Sequence, residues 1–315
     1  MSDTSGRLIA IGNFDGLHLG HRALLEKLHK KSRQLKLPAT VLTFDPHPLH
    51  FFSDKGPDLL LTKEQKEKML YQFFQVDEVI FQKFDAAFAA LSPQEFVDDI
   101  LIKKYHSRHV MVGFNFNFGK NIVGDAYLLR TLAAAHGVDI SIVPPVVGKF
   151  GLVSSSSIRE KIKQGQLDAA NSMLGYCYYV AGKIVTGQKI GRTLNFPTAN
   201  IIPPRRSPLP SYGVYAVRAV LGDHTYDGIA NLGFRPTVGE KMELLLETHL
   251  LVDKKIGTDE LYDQEMTVYF CRYLRPEKRF MNLLQLRDQL EKDKKVAQDF
   301  FADYPAQKHL PKRIK

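Results

Sequence analysis

Arg7-Leu8-Ile9-Ala10-Ile11-Gly12-Asn13-Phe14-Asp15-Gly16-Leu17-His18-Leu19-Gly20-His21 runs from an apolar strand, through a glycine-bearing turn, into the start of a helix. Open α/β sheets place nucleotide phosphates at such a strand-to-helix turn. Glycines let the backbone approach a ligand closely, and the free N–H groups of the following helix favour an anion. His18 and His21 are three apart, so both rings lie on one side of a first helical turn. Two imidazoles there can donate to oxygens that gain charge as a P–O bond breaks; two surface histidines near a turn would have the same spacing. GxxxxGK[ST] and GxGxxG do not occur, which excludes the P-loop and dinucleotide fingerprints, and HExxH is absent as well.

Outward from this turn, residues 1–175 alternate short apolar runs with helical patterns. Strands are expected over 7–12, 39–44, 79–84, 109–113 and 138–143, and helices over 23–35, 62–74, 92–105 and 126–136. Thr62-x-x-Gln65 reads as a capping box, and Ser92-Pro93-Gln94-Glu95 combines an N-cap, a first-turn Pro and a Glu at N3. Five strands separated by helices predict a parallel sheet with helices on both faces. A helical pair, 156–164 and 167–174, follows, and then the period changes. Runs at 178–186, 213–221, 226–232, 243–251 and 266–273 are β-branched and aromatic, as in an antiparallel barrel. One helix from Asn282, with Leu283, Leu286 and Leu290 on one face, ends the pattern. The expected domains are 1–175 and 176–315.

The chain has 315 residues, 44% hydrophobic and 24% charged, which excludes collagen-like, coiled-coil and disordered classes. No run approaches a membrane span, and Met1 to Gly6 carries no secretory leader, so a cytoplasmic location is expected. The net charge of +9 is spread over both halves, with 21 Lys+Arg against 18 Asp+Glu in 1–175 and 22 against 16 in 176–315. Nucleic acid and membrane are therefore not expected partners. The basic tail Lys308, Lys312, Arg313 and Lys315 reads as a solvated terminus. Cys177 and Cys271 read as buried thiols.

A second element, Val153-Ser154-Ser155-Ser156-Ser157-Ile158-Arg159, offers hydroxyls, N–H groups and a guanidinium to a phosphate chain. Together with the histidine-pair stretch it resembles the nucleotidylyltransferases, which join a nucleoside triphosphate to a phosphate-bearing acceptor and release pyrophosphate. Thr43-Phe44-Asp45-Pro46-His47-Pro48 and Gly113-Phe114-Asn115-Phe116-Asn117-Phe118-Gly119 look like motifs of the flavin-nucleotide branch. Phe114, Phe116 and Phe118 alternate, so one face of that segment is aromatic, for core packing or for stacking. The resemblance implies ATP and phosphate binding by Gly12, Phe14, Asp15, Gly16, His18, His21, Asn115, Ser154, Ser155, Ser156 and Arg159. It implies flavin binding by Asp45, Pro46, His47 and Pro48.

Gly182 to Asn200 carries a glycine-bearing basic loop that runs into Pro197-Thr198-Ala199-Asn200 and resembles the riboflavin kinase signature. Thr198 and Asn200 are two apart, so on an extended backbone their oxygens point to one side, where they could share a Mg²⁺ with ATP phosphates. Gly187, Lys189, Gly191, Arg192 and Pro197 are the expected phosphate cover, with Asn195 where the family commonly has Gly. Glu247 lies within the apolar run Leu244-Leu245-Leu246-Glu247-Thr248-His249-Leu250, where a buried carboxylate is costly unless it is functional, paired or outward-facing. The family's equivalent Glu is a general base. Arg235 and Arg218 are the alternative ion-pair partners for Glu247. Arg275, in Leu274-Arg275-x-x-x-x-Phe280, is expected beside the flavin.

In order and in both halves, residues 7–293 resemble the bacterial bifunctional riboflavin kinases and FAD synthetases. The resemblance implies a Rossmann-like α/β nucleotidylyltransferase domain followed by a β-barrel kinase domain with a C-terminal helix. It implies conversion of riboflavin and ATP to FMN, then of FMN and ATP to FAD and pyrophosphate, both with Mg²⁺, with Glu247, His18 and His21 catalytic. Two other readings stay open: a chain that retains one activity, and a flavin-responsive nucleic-acid-binding regulator.

Overall fold

The computed structural model describes residues 6–185, 198–236, 242–252, 264–305 and 307–314. The chain forms two compact units, Met1–Ser157 with Lys312–Lys315, and Ile158–Pro311. In the first, β1 (Arg7–Ile11), α1 (Leu19–Leu35), β2 (Ala39–Asp45), α2 (Pro48–Phe52), α3 (Lys63–Phe74) and β3 (Glu78–Lys83) come in turn. Then follow α4 (Ala86–Ala89), α5 (Pro93–Glu95) continued by a π-helical stretch over Phe96–Lys104, β4 (Ser107–Gly113), and a small hairpin of β5 (Asn117–Phe118) and β6 (Gly124–Asp125). The unit continues with α6 (Ala126–Ala134), β7 (Asp139–Val143) and a second hairpin, β8 (Val147–Gly148) with β9 (Gly151–Leu152).

Five strands form one parallel sheet in the order β3-β2-β1-β4-β7. Ile9, Ile11, Val110, Val112 and Ile140 point to a core closed by α6 and the Phe96–Lys104 stretch. Leu24, Leu25 and Leu28 of α1 are buried against the sheet as well. The chain leaves β1 toward β2 on one side and supplies β4 on the other. The order therefore reverses between β1 and β4, and a crevice opens at their carboxyl ends.

Helix α7 (Ser155–Lys163) crosses the division, and α8 (Leu167–Leu174) opens the second unit. Strands β10 (Tyr179–Val185), β11 (Thr198–Ile201), β12 (Gly213–Leu221), β13 (His224–Pro236), β14 (Met242–Leu250) and β15 (Glu265–Arg275) close an antiparallel barrel in the order β10-β11-β14-β13-β12-β15. The final helix, α9 (Leu283–Ala302), packs Ala297 and Phe301 onto Ala216, Ile229 and Cys271.

Four expectations change. Helix α1 starts at Leu19, not Ala23, because the ring of His18 acts as its N-cap, a role the apolar period does not signal. Strand β11 joins the barrel although its four residues are too few for a visible alternation. In α9 the buried stripe is Asp293, Ala297 and Phe301, while Leu283 lies exposed in the overhanging first turn. The tail is docked instead of solvated: Ile314 is buried, its N–H donates to Phe73 O (2.8 Å), and Gln75 Nε2 donates to Ile314 O (2.6 Å).

Candidate active sites

The Gly12–His21 turn leaves β1 at the reversal of strand order. Phe14, Gly16 and Leu17 all have positive φ, 49°, 85° and 39°, so two non-glycine residues stand in the left-handed region. Such strain persists only where the surroundings impose it. Phe14 and Leu17 are fully buried, Asp15 Oδ1 accepts from the N–H groups of Leu60 (2.8 Å) and Leu61 (3.3 Å), and Ser155 Oγ donates to Asp15 O (2.8 Å). From below, the nearly buried Lys66 donates its Nζ to Asn13 O (2.7 Å) and lies 3.4 Å from Thr43 Oγ1. Burial pulls the Lys66 ammonium down to about 8, against the opposing charges of Asp15 and Asp45.

The two histidine rings stack at 3.7 Å between centroids and 15° between planes. A Cβ on Gly20 would come within 3.1 Å of the His18 ring, so glycine keeps that ring in place. His21 is held well below the ordinary histidine range by burial, then by His18 and Lys66, so its ring is neutral at pH 7. Its Nδ1 is buried with no hydrogen-bond partner among the described residues. Asn115 is exposed just past the end of β4, and Ser154 Oγ accepts from Ser157 N (3.2 Å) at the start of α7, which carries Ser155, Ser156 and Arg159.

Beside this turn, Asp45 pairs with Lys63 (2.6 Å), and His47 caps α2 by accepting from Leu49 N, with Pro46 and Pro48 on either side. Helix α2 ends in Phe51 and Phe52, which meet Phe84 edge-on at 5.6 and 5.8 Å; Phe84 in turn touches Phe44 and Phe88. Phe51 and Phe52 are exposed on one side, which makes an aromatic wall. The alternating segment behaves differently: Phe116 and Phe118 stack on one another and Phe118 is buried, while a turn at Gly113 leaves Phe114 exposed.

In the barrel, Asn200, Glu247 and Asn231 stand side by side on β11, β14 and β13, each directly opposite the next. The Oδ1 atoms of Asn200 and Asn231 are buried without a hydrogen-bond partner among the described residues. Asn231 Nδ2 donates to Glu277 Oε1 (3.2 Å). Arg235 bridges two carboxylates, Glu247 at 3.4 Å and Glu277 at 3.0 Å. Arg218 is engaged elsewhere, by Asp227 at 2.7 Å. Arg275 meets Asp293 of α9 through both Nε and Nη2, so the guanidinium expected beside a flavin is held by a nearly buried carboxylate.

The FAD synthetase family profile matches residues 1–157, and the riboflavin kinase profile matches residues 174–301. The bifunctional riboflavin kinase/FMN adenylyltransferase of Escherichia coli K12 is 38% identical over 298 residues, 94% of this chain and 93% of the relative. The chain belongs to the bifunctional riboflavin kinase/FMN adenylyltransferase family. The Listeria monocytogenes member is 35% identical over 94% of this chain and 93% of its own. A crystal structure described as a macrolide-efflux protein from Streptococcus pneumoniae superposes with a TM-score of 0.83 at 30% identity, over 94% of each chain.

Set against the family's motifs, the FAD synthetase unit brings Gly12, Gly16, His18 and His21 together with Ser155. Phe14 and Asp15 stand in its scaffold, with the Asp15 carboxylate turned to Leu60 and Leu61. In the riboflavin kinase unit, Thr198 and Asn200 lie on β11 beside Glu247. Gly187, Lys189, Gly191, Arg192 and Pro197, with Asn195, lie outside the described residues. Sequence reasoning missed Lys66, Phe51, Phe52 and Glu277. Adjacent phenylalanines after a His-Pro turn were a visible signal; nothing marked Lys66 within a lysine-rich helix.

Proposed function

We propose that this chain phosphorylates riboflavin to FMN in the barrel, then transfers the adenylyl group of a second ATP to FMN in the α/β unit. The observation that carries the reading is the Asn200–Glu247–Asn231 row, a carboxylate between two buried amide oxygens that have no partner among the described residues. Glu247 accepts the proton of the ribityl 5′-hydroxyl as that oxygen attacks the γ-phosphorus of ATP. An orphaned Asn200 oxygen, two residues from the Thr198 hydroxyl, fits the all-oxygen shell that Mg²⁺ takes. Thr198 and Asn200 would hold the ion, which supplies charge neutralisation for the triphosphate when bound. Among the described residues no group of three or more His, Cys, Asp or Glu could hold a metal, so most of its shell would come from phosphate and water.

In the α/β unit the FMN phosphate attacks the α-phosphorus of ATP, and pyrophosphate leaves. His18 and His21 sit where the triphosphate would cross the helix start; neutral His21 gives a hydrogen bond without a competing carboxylate. Ser154, Ser155, Ser156, Arg159 and Asn115 complete the ATP site, and Asp45 to Pro48 with the Phe51–Phe52–Phe84 wall receive the planar flavin. In the barrel, Arg275 orients the flavin side of the cleft through its Asp293 pair. The kinase domain begins near Tyr176, and α8 before it belongs to the same compact unit as the barrel. Partners are small molecules, with no nucleic acid. We place the protein in the cytoplasm because both steps consume ATP; among the described residues no helix is long and apolar enough to cross a membrane. Incubation with riboflavin, ATP and Mg²⁺ followed by chromatography should show FMN first and FAD after it. FAD formed from supplied FMN with no FMN formed from riboflavin would defeat the kinase half.

A further inference from the structure

Cys177 and Cys271 are 94 residues apart in sequence, yet their sulfurs lie 3.7 Å from one another in the barrel unit. The β10–β15 register, Tyr179 opposite Tyr269 and Val180 opposite Val268, continues backward to set Cys177 across from Cys271. At the intervening Tyr178–Phe270 position one direct bond is kept, Phe270 N donating to Tyr178 O (2.8 Å), and a side chain takes the place of the other. Asn171 Oδ1 accepts from Tyr178 N (2.7 Å) and its Nδ2 donates to Phe270 O (2.9 Å), taking the groups that would otherwise bond directly. Both cysteines are reduced and buried. Facing them are Tyr304, whose hydroxyl lies 3.1 Å from Cys177 Sγ, and the guanidinium of Arg218, which packs over the Phe301 and Tyr304 rings at 5.1 Å. Tyr304 itself is partly exposed just past the end of α9.

We propose that Cys177 and Cys271 form a redox dithiol that closes to a disulfide within the barrel unit when hydrogen peroxide takes two electrons from it. Opposed residues of an antiparallel pair have the Cα spacing a disulfide spans, and χ1 rotation of the two side chains can bring sulfurs at 3.7 Å to the bonded distance of about 2.05 Å. The Tyr304 hydroxyl, 3.1 Å from Cys177 Sγ, can donate to a thiolate there, and the Cys177 thiol is pulled below its ordinary range, so Cys177 is the attacking sulfur. Its thiolate attacks one peroxide oxygen and displaces hydroxide, which leaves a sulfenic acid. The Cys271 sulfur then attacks the Cys177 sulfur, forming the S–S bond. The sulfenic oxygen departs as water with the Cys271 proton. One peroxide and two thiols thereby give one disulfide and two waters.

The test uses the full-length protein, reduced with a phosphine, desalted and exposed to hydrogen peroxide without denaturant. The expected product has lost two hydrogen atoms in intact mass and resists alkylation at both cysteines. Its non-reducing peptide map links the Cys177 and Cys271 peptides, and fresh phosphine restores the starting mass. The cross-linked form should melt at higher temperature, because a loop of 94 residues is closed in its unfolded state. In Cys271→Ser the reaction should stop at a sulfenic acid on Cys177 that a dimedone probe captures. Added oxygen atoms without a linked peptide in the wild-type chain would overturn the proposal. So would two thiols that remain alkylatable on unfolding after the peroxide treatment.

Discussion

The ring of His18 is at once the N-cap of α1, accepting from His21 N at 3.3 Å, and the stacking partner of His21 at 3.7 Å. One imidazole therefore fixes the helix start and the second imidazole together. Replacing both by Ala should lower FAD formation by several decades, at roughly 10² to 10³ for each electrostatic donor. FMN formation from riboflavin should stay within twofold. Chromatography of both flavins from one reaction checks the two expectations at once.

Stability of the α/β unit should fall as the medium is acidified. The folded chain holds His21 well below the value of 6.5 that the unfolded chain returns to. Above about pH 6.5 the ring is neutral in both states, and its contribution is fully present. As pH drops below 6.5 the unfolded chain takes up a proton that the folded chain refuses, so stability is lost progressively. Thermal melts from pH 7.5 to 5 should slope downward, and His21→Gln should flatten the slope.

Glu247→Gln should cut riboflavin phosphorylation by roughly 10² to 10⁴, the scale of a lost general base. The melting temperature should move little, because the Glu247–Arg235 pair is long at 3.4 Å and about one-third exposed on each side. FAD synthesis from supplied FMN is the internal control. A variant that melts early yet keeps its kinase turnover would mark Glu247 as structural.

Lys66→Met replaces a buried ammonium by an apolar chain of similar length. At pH 7 the melting temperature should hold or rise, since the charge is desolvated. FAD formation should fall by about tenfold or more, because Asn13 O loses its support beneath the strained turn. Wild-type stability should also gain as pH rises from about 8 toward 10.5, where the folded chain gives up the proton first; the variant should lack that gain.

Asn171→Ala should destabilise the barrel unit by about 2 to 4 kcal/mol, since it leaves Tyr178 N and Phe270 O without their partner. Urea unfolding followed by kinase activity is the measurement. A fragment begun at Tyr176 loses the same side chain, so it should be less stable than one begun at Ile158.

The parallel sheet was legible because Leu8 to Ile11, Val110 to Val112 and their helices repeat a strong pattern, and the capping box at Thr62 formed as written. The spacing of the histidine pair put both rings on one side of the first helical turn, where they stack, but it did not by itself separate a phosphate site from two surface histidines. The structural part of Asp15 was not legible, because a conspicuous acid beside glycines looks like a ligand, while its two backbone donors, Leu60 and Leu61, lie 45 residues or more away. Arg275 shows the same difficulty: its partner Asp293 occupies an otherwise apolar stripe on α9 and belongs to a different element. Lys66 was hidden among neighbours of its own kind, because only the depth of the turn above it separates it from Lys63 and Lys68.

Arg313 Nε donates to Gln72 O at 2.9 Å, and the two residues are 241 positions apart, so both ends of the chain build the α/β unit. On a ribosome that adds about 5 to 20 residues each second, Gln72 waits on the order of 10 to 50 s for this neighbour to be made. Through that interval nascent chains present the end of α3 uncovered. A stalled or prematurely terminated product would carry a complete histidine-pair turn on a unit that still lacks its last edge.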